Sequence, residues 1–345
     1  MKSWRGIAGV LALGFVAAGV TPAWACACGG YLASVESRAR ATGEKALVRY
    51  DERGSEEITL SMAISGSSKK AAWIMPVPSP AKLELGDAKL FSRLAELTEP
   101  KVIEHTTYWP FRGLGLFEGD QAPGGSAPGG GVSVREQMTL GPFEIARLGG
   151  NNGTAVTDWL KTNGYVVPAS LGANLTPYVT EGWEIVAVKL APKSADESLT
   201  GSTPPLRLTF ASDKIVYPMR LSKGATTPQA VTVYVAAPHR VDTTVLPVAG
   251  LQPELLYAGR AQDPAMAAPA DFLTAFEVIY HEPQQITSDF TFAKATTDEP
   301  YQRVEYITRN EAGWSTAGVL VVLVLLIVGG FVLFRRRSRP QDPAA

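Results

Sequence analysis

Residues 206–210 read LRLTF and residues 231–235 read VTVYV. In both stretches apolar and polar residues alternate, which is the period of a strand with one covered face. Other runs rich in β-branched, aromatic or alternating apolar residues predict strands at 56–64, 71–77, 101–109, 184–190, 276–280 and 290–292. Strands with one apolar face suit antiparallel sheets. The sequence therefore predicts an α+β fold that is β-dominant, with mostly antiparallel sheets and a few short helices.

Helical periodicity is confined to short segments of the chain. Residues 87–97 (DAKLFSRLAEL) carry apolar residues on one helical face. A second helix is predicted around Val156–Leu160, with Asn163-Gly164 as its C-terminal stop signal. Thr176-Pro177 resembles an N-cap followed by proline at the first helical position, and Gly182 would end that turn.

Two segments lack any secondary-structure period. Residues 118–131 (EGDQAPGGSAPGGG) form a Gly/Pro-rich run that is typical of a flexible loop or linker. This run could divide two subdomains, but strand patterns continue on both sides, which favours a surface insertion within one domain. Residues 191–205 are expected to form a long hairpin loop.

The C-terminal part of the chain contains a predicted transmembrane helix at 314–334. Residues 317–334 are uncharged, and a helix of that length spans roughly 27 Å, close to the thickness of a bilayer's hydrocarbon core. Trp314 stands where an interfacial aromatic residue would anchor the outer end. Four arginines follow in the tail 335–345, so the positive-inside rule predicts that this basic tail is cytoplasmic.

The N-terminus has the features of a signal peptide at residues 1–25. A basic start precedes the apolar run Ile7–Val20, and Ala23-Trp24-Ala25 fits the small-x-small cleavage rule. An uncleaved membrane helix is an alternative, but the apolar run is short for it. A lipoprotein signal would make Cys26 the lipidated first residue, although Ala23 and Trp24 fit a lipobox poorly. Residues 26–313 are then an extracytoplasmic domain of a single-pass cell-membrane protein.

The charge balance of the chain argues against a nucleic-acid partner. The chain has 32 Lys+Arg and 33 Asp+Glu, and six of the basic residues lie in the two terminal segments. The exterior segment is therefore mildly acidic, and it contains no basic stripe with interleaved aromatic residues. The predicted partners are the membrane itself and an envelope protein or polymer.

Cys26 and Cys28 are the only cysteines and the clearest candidates for site residues. Next to Gly29 and Gly30, such a pair can form a structural disulfide, exchange thiols or bind a soft metal. No basic residue within the next few positions would lower a thiol pKa, and two sulfurs alone do not complete a tetrahedral zinc site. The sequence favours the structural disulfide and leaves the redox, metal and lipidation alternatives open.

The remaining polar residues match no catalytic or metal-binding pattern. The three histidines, His105, His239 and His281, have no ligand spacing, and the chain contains no nucleophile elbow, Walker loop or dinucleotide-binding loop. Asp158 and Glu181 flank helical turns and are interpreted as solvated or capping groups. The sequence therefore predicts no metal and no cofactor, and it does not indicate an enzyme.

The tryptophans have two interpretations. Trp73, Trp109, Trp159 and Trp183 could line a carbohydrate or peptide surface, but aromatic residues at helix and strand positions belong more often to the core. The Trp73 region and the loop 118–131 are nevertheless the two places where the sequence suggests a contact surface.

A set of short motifs resembles a known bacterial family. The motifs are Asp158-Trp159-Leu160, Asn163-Gly164-Tyr165, Pro177-Tyr178, Gly182-Trp183 and Tyr217-Pro218-Met219, with Cys26-Ala27-Cys28-Gly29-Gly30 and residues 73–78 (WIMPVP) upstream. As a set, over roughly residues 26–300, they resemble the family called "domain of unknown function 2330". The resemblance implies an exported, membrane-tethered bacterial protein and brings no activity and no catalytic residues.

Two function classes follow from the sequence. The first is a non-enzymatic binding or scaffolding domain, tethered to the membrane and exposed in the cell envelope. The second is an envelope enzyme or thiol-redox protein that acts through Cys26 and Cys28. Thiol titration of the protein would discriminate between the two classes.

Overall fold

The computed structural model of the protein describes residues 29–33, 39–107, 134–140, 143–148, 153–190, 198–225, 227–261, 263, 272–310 and 313–337. Several segments lie outside these residues: the predicted signal peptide, Cys26 and Cys28, Trp109 and the loop 118–131. The predicted alternatives for that loop, a division between subdomains or a surface insertion, therefore also concern residues outside the described ranges.

Strands make up most of the described secondary structure. In chain order they are β1 (Gly30–Ala33), β2 (Arg40–Tyr50), β3 (Ser55–Ser68), β4 (Ala71–Val77), β5 (Lys82–Leu85), β6 (Lys101–Thr107), β7 (Val134–Leu140), β8 (Phe143–Leu148), β9 (Glu184–Leu190), β10 (Leu199–Ser202), β11 (Leu206–Ala211), β12 (Ile215–Tyr217), β13 (Gln229–Ala237), β14 (Val241–Val245), β15 (Glu254–Arg260), β16 (Phe272–Tyr280), β17 (Phe290–Lys294), β18 (Tyr301–Gln302) and β19 (Val304–Asn310). The α-helices are α1 (Leu90–Leu97), α2 (Gly153–Thr162), α3 (Ala169–Thr180) and α4 (Gly313–Arg337), and short 3-10 turns occupy Arg220–Gly224 and Pro283–Gln285.

Two large sheets and two small ones contain these strands. The nine-stranded sheet has the order β18-β15-β16-β13-β2-β3-β11-β5, with β10 pairing beside β11 on the long strand β3. The five-stranded sheet has the order β1-β4-β9-β8-β7. Smaller sheets are formed by β12-β17-β14 and by β19-β6. Among these pairs only β2 with β13 and β6 with β19 run parallel, so the predicted mostly antiparallel α+β fold is confirmed.

The two large sheets pack face to face between helices, as four layers. Side chains of both sheets form the central core, which includes Val48, Ile58, Val233, Trp73 and Val188. The outer face of the five-stranded sheet is covered by α2 and α3. The outer face of the nine-stranded sheet is partly covered by α1 through Leu90, Phe91 and Leu94. Each large sheet therefore has both faces in contact with another layer, which explains the long buried runs in β4, β9 and β13.

Most predicted elements are present close to their predicted bounds. Strands β4 and β9 coincide with the predicted ranges 71–77 and 184–190. Helix α1 begins at Leu90 rather than at residue 87. Helix α2 ends before Gly164, whose positive φ of 82° allows the Tyr165 amide to bond back to the Leu160 carbonyl oxygen at 3.0 Å.

The predicted start of the third helix at Thr176-Pro177 is wrong. Helix α3 begins at Ala169, after Pro168 in extended conformation, and Pro177 lies within its last turn. Leu171, Leu175 and Tyr178 are fully buried along one side of α3, so packing against the sheet extends the helix through the proline. Gly182, with a φ of 80°, follows its end as predicted.

The prediction of a hairpin loop at 191–205 is also wrong for its described part, residues 198–205. Strand β10 pairs with the far half of β3, and β11 pairs with the near half of the same strand. Because β9 belongs to the five-stranded sheet and β11 to the nine-stranded one, the connection crosses between layers.

Helix α4 is 25 residues long, and its segment Gly318–Arg337 is long and apolar enough to cross a membrane. None of this segment is buried against the rest of the protein. By length and composition, then, the helix suits a bilayer rather than the protein core.

Gly29, beside the predicted disulfide motif, must be a glycine because the chain at the start of β1 lies very close to β4. A Cβ added at Gly29 would collide with the carbonyl oxygen of Ile74 and would lie 2.6 Å from Trp73 Nε1. We expect Gly29→Ala to lower the free energy of unfolding by about 1–3 kcal/mol, because β1 must shift away from β4. The matched control is Gly43→Ala, whose Cβ would meet no atom closer than 3.8 Å. Equal thermal midpoints for the two full-length variants would contradict this constraint.

Candidate functional site

Residues 215–220 (IVYPMR), called here the anchored segment, consist of β12 and the residues that lead into the following 3-10 turn. Three buried carboxylates from distant parts of the chain, Glu44, Glu56 and Asp289, bond to this segment. Buried carboxylates are rare unless they are paired. This concentration of buried acids makes the segment the first place to look for a site.

Glu56 of β3 is fully buried, and its Oε2 accepts a hydrogen bond from the Val216 amide at 3.1 Å. Burial raises the pKa of Glu56 well above its usual value, and the Val216 amide, the Ser212 hydroxyl and the charge of Lys214 oppose that rise only in part. Its protonated form is therefore the one that the folded protein favours.

Glu44 of β2 bonds to the next residue of the anchored segment. The Tyr217 hydroxyl donates to Glu44 Oε1 at 2.6 Å, and both side chains are buried. This bond ties β12 to the centre of the nine-stranded sheet.

Asp289 anchors the end of the segment. Its Oδ1 accepts hydrogen bonds from the backbone amides of Met219, at 2.7 Å, and Arg220, at 3.1 Å. The Tyr178 hydroxyl donates to the same oxygen. Oδ2 forms an ion pair with Arg220 Nε at 2.8 Å. Asp289 thereby joins α3, the anchored segment and the loop before β17.

The Arg220 guanidinium completes this cluster. It pairs with Glu181 and lies 4.0 Å from the centre of the Tyr178 ring and 5.7 Å from that of Trp183. Burial disfavours its charge, yet the bond to Glu181 and the charge of Asp289 together raise the pKa of Arg220. Burial, with the neighbouring charge of Asp289, raises the pKa of Tyr178, so this phenol stays a hydrogen-bond donor.

This arrangement positions backbone and does not present a reactive group. Each anchoring oxygen described above faces a donor within the protein, and of Glu44, Glu56, Asp289 and Arg220 only Glu44 is among the lining residues of either cavity described below. We therefore assign the cluster a structural role and look for the binding site elsewhere.

An open groove lies beside α1 on the outer face of the nine-stranded sheet, with a volume of about 670 Å³. Its floor contains Lys45, Thr232 and Glu277, which occupy paired positions on β2, β13 and β16. The Thr232 hydroxyl and Glu277 Oε1 are 3.2 Å apart. One wall consists of Ala88, which precedes α1, and of Phe91, Ser92 and Ala95 in α1; the other consists of residues 202–205. This volume falls in the range of ligand sites.

A smaller cavity of about 230 Å³ lies at the β12-β17-β14 sheet and is lined by Tyr50, Lys214, His239 and Phe292 among others. His239 Nδ1 lies 2.9 Å from Asp298 Oδ2. The other histidines belong to other elements: His105 stacks on Tyr306 in the β6–β19 pair, and His281 is exposed after β16. Within the described ranges, no group of three or more His, Cys, Asp or Glu side chains is placed to hold a metal ion.

The two acidic residues flanking helical turns behave differently. Asp158 is exposed and lies 3.4 Å from Lys161, as a solvated surface group. Glu181, interpreted as solvated or capping, is exposed and is the C-cap residue of α3, and its carboxylate also pairs with Arg220. The bond to Arg220 lowers the pKa of Glu181.

The Trp73 region is not the contact surface that the sequence suggested. Trp73 is 1% exposed, because β4 is the second strand of the five-stranded sheet and the Trp73 side chain points into the central core. Trp159 is likewise buried, and Trp183 packs on Tyr178 with ring centres 4.9 Å apart. The core interpretation holds for these described tryptophans.

Sequence reasoning missed Glu44, Glu56, Arg220 and Asp289. For the first two a signal existed, since Glu56 is in phase with Ile58 and Leu60 on the apolar face of β3, and Glu44 is in phase with the buried residues of β2. A carboxylate within an apolar face predicts a specific partner. Asp289 lies outside any period, so only the tertiary structure identifies it.

The raised pKa of Glu56 predicts how stability depends on pH. The protonated form is favoured in the fold, so its contribution is complete below the usual value of 4.5 and is lost as pH rises through the folded-state pKa. Gln cannot ionise, so the stability of Glu56→Gln relative to wild type should increase as pH rises over that window. Thermal melts across pH measure this difference, with the exposed Glu96→Gln as control. A difference that stays constant or falls with pH would contradict the burial of a protonated Glu56.

Comparison with known structures gives only a distant likeness. The crystal structure of baculovirus P35 matches 79% of this chain and 99% of its own, at 10% identity and a TM-score of 0.32. The crystal structure of the caspase-8/P35 complex matches 76% of this chain and 97% of its own, at 8% identity and a TM-score of 0.28. Scores this low carry no conclusion about function.

No curated protein matches the sequence. A family model does match, over residues 22–293, which include the anchored segment and the groove. The chain therefore belongs to the family DUF2330, described as "Uncharacterized protein conserved in bacteria".

Proposed function

We propose that this bacterial protein is a binding domain held at the outer face of the cell membrane by helix α4. The tether is supported by the length and apolar composition of Gly318–Arg337 and by the arginines that close the helix. The positive-inside rule supports a cytoplasmic tail, with the β-sheet layers outside. A single span fixes the local concentration of the exterior domain near a partner in the envelope.

The groove beside α1 is the observation that carries the binding role. It combines an open, largely apolar cleft with a few polar side chains, Lys45, Thr232 and Glu277, on a rigid sheet. On the α1 wall, Ser92 and Ala95 are small and Phe91 adds apolar surface. These are features of a site that holds a ligand by shape and a few polar contacts.

Binding is favoured over catalysis by the position of the titratable groups. The carboxyl group with a strongly raised pKa, Glu56, lies on the inner face of the nine-stranded sheet, whereas the groove lies on the outer face. Catalytic acids and bases with shifted pKa values are expected at the cleft itself. The partner class that fits this position is an envelope protein or polymer.

Site-specific photocrosslinking in living cells tests the groove. We expect p-benzoylphenylalanine in place of Ser92, which lines the groove, to form a reproducible adduct with one envelope component. The same residue in place of Glu96, exposed on α1 but outside the groove lining, should give little or none. Adducts are identified by mass spectrometry of the full-length protein.

The same cells provide the topology control. Protease added to intact spheroplasts should remove the exterior domain and leave a C-terminal tag protected. Equal adduct yields at positions 92 and 96 would contradict the groove as a binding site, and digestion of the tag would contradict the orientation. If no adduct forms and Cys26→Ser with Cys28→Ser abolishes the cellular phenotype without unfolding the protein, the thiol-redox alternative replaces the binding role.

A further inference from the structure

Strands β6 and β19 form a two-stranded parallel ribbon at the junction between the domain and α4. The ribbon joins the nine-stranded sheet through the backbone: Lys101 donates to the Arg303 carbonyl at 2.8 Å, and Arg303 donates to the Leu256 carbonyl at 2.9 Å. Parallel sheets usually have both faces covered. Here the described side chains of the ribbon are half-buried or exposed on both faces.

Exposed apolar side chains concentrate on this ribbon. Outside α4, nine large hydrophobic residues are exposed in the described part of the chain, and four of them lie on the ribbon. These four are Val102, Val304, Tyr306 and Ile307. Tyr306 is the most exposed of the nine, at 66%. Val304 and Tyr306 lie on one face of the ribbon and Val102 and Ile307 on the other, so the two faces must be compared to find a contact surface.

The two faces of the ribbon differ in charge. Strand alternation and the pairing of Tyr306 with Ile103 place Lys101, Ile103, His105, Val304 and Tyr306 on one face, here the Tyr306 face. The His105 and Tyr306 rings stack with centres 5.6 Å apart, which agrees with this placement.

All the acidic residues of the ribbon fall on the opposite face. That face carries Glu104, Glu305 and Arg309 together with Val102 and Ile307. Glu104 and Arg309 are 4.0 Å apart there. The Tyr306 face therefore combines apolar and aromatic groups with Lys101 and has no carboxylate among its residues.

The ribbon is close to the start of the membrane helix, because β19 and α4 are nearly adjacent in the sequence. Asn310 ends β19 and Gly313 begins α4, so three peptide steps separate them, at most about 11 Å. The parallel register places Thr107 beside Asn310, so both strands end at this junction. Tyr306 is four residues before Asn310, about 13 Å along the strand.

We propose that the Tyr306 face of the ribbon lies in the phospholipid headgroup region of the bilayer that α4 crosses. The inference rests on the proposed membrane tether. Tyrosine is enriched at membrane–water interfaces, where its ring is apolar and its hydroxyl is hydrated. Lys101 contacts lipid phosphates, and the acidic face turns toward water. The ribbon thereby fixes the angle between the domain and the membrane.

Electron paramagnetic resonance of the full-length protein in nanodiscs of phosphatidylcholine and phosphatidylglycerol tests this placement. A nitroxide carried on genetically encoded p-acetylphenylalanine replaces Tyr306, Ile307 or Leu326 in separate variants, and power saturation measures accessibility to O₂ and to water-soluble nickel-EDDA. Ile307 is the matched control, because it is adjacent, also exposed and on the opposite face. Leu326, within α4, reports the tether itself.

We expect the ratio of O₂ to nickel accessibility to be several-fold higher at position 306 than at 307, and higher again at 326. Equal ratios at 306 and 307 with a high ratio at 326 would overturn the ribbon inference and leave the tether standing. Low accessibility of 306 to both reagents would also overturn it, by showing that protein, such as a second copy of the chain, covers this face. A low ratio at 326 would overturn the tether.

Discussion

The buried carboxylates that bond to residues 215–220 are the constraint on which the remaining structure depends. Glu44 and Glu56 belong to the nine-stranded sheet, whereas Asp289 bonds to α3 through Tyr178. Residues 215–220, to which all three acids bond, connect the β12-β17-β14 sheet to both large sheets. At Asp289, which forms an ion pair with Arg220, the hydrogen bonds have a charged partner and are roughly twice as strong as neutral ones, and removing one partner of such a buried pair typically costs about 3–5 kcal/mol. The layers are therefore held in register by polar bonds as well as by their apolar core.

The same cluster gives a physical meaning to the motifs that carry the family resemblance. Tyr178, Trp183 and Met219 come from three of these motifs, and all contact the Arg220–Asp289 pair directly or through backbone amides. Gly29 and Trp73, from the upstream motifs, meet at the β1–β4 contact. These motifs therefore specify how the layers join, and the groove that we propose as a ligand site lies elsewhere, on the outer face of the nine-stranded sheet.

Local sequence patterns predicted the strands with clear alternation, such as β11 and β13, and the apolar run of β4, because their side chains report burial directly. They failed where packing or long-range pairing decides. Pro177 was interpreted as a helix start, although the buried face of α3 extends through it. Strand β19 (VEYITRN) has mixed polarity and exists as a strand through its parallel partner β6, about two hundred residues earlier. The groove could not be predicted either, since its floor and walls come from six separate segments of the chain. The signal peptide, the state of Cys26 and Cys28 and the cytoplasmic tail remain predictions.

Native-state hydrogen exchange of the full-length protein, compared between wild type and Asp289→Asn, measures the anchoring directly. The amides of Met219 and Arg220 donate to Asp289 rather than to a helix or sheet ladder, so in wild type they should exchange as slowly as the core amide of Val188 in β9. In Asp289→Asn their exchange should accelerate by orders of magnitude while that of Val188 changes far less, because the charge-assisted bonds and the Arg220 ion pair are lost locally. Rapid exchange of Met219 and Arg220 in wild type, or no difference between the two proteins, would contradict the central role of the buried carboxylates.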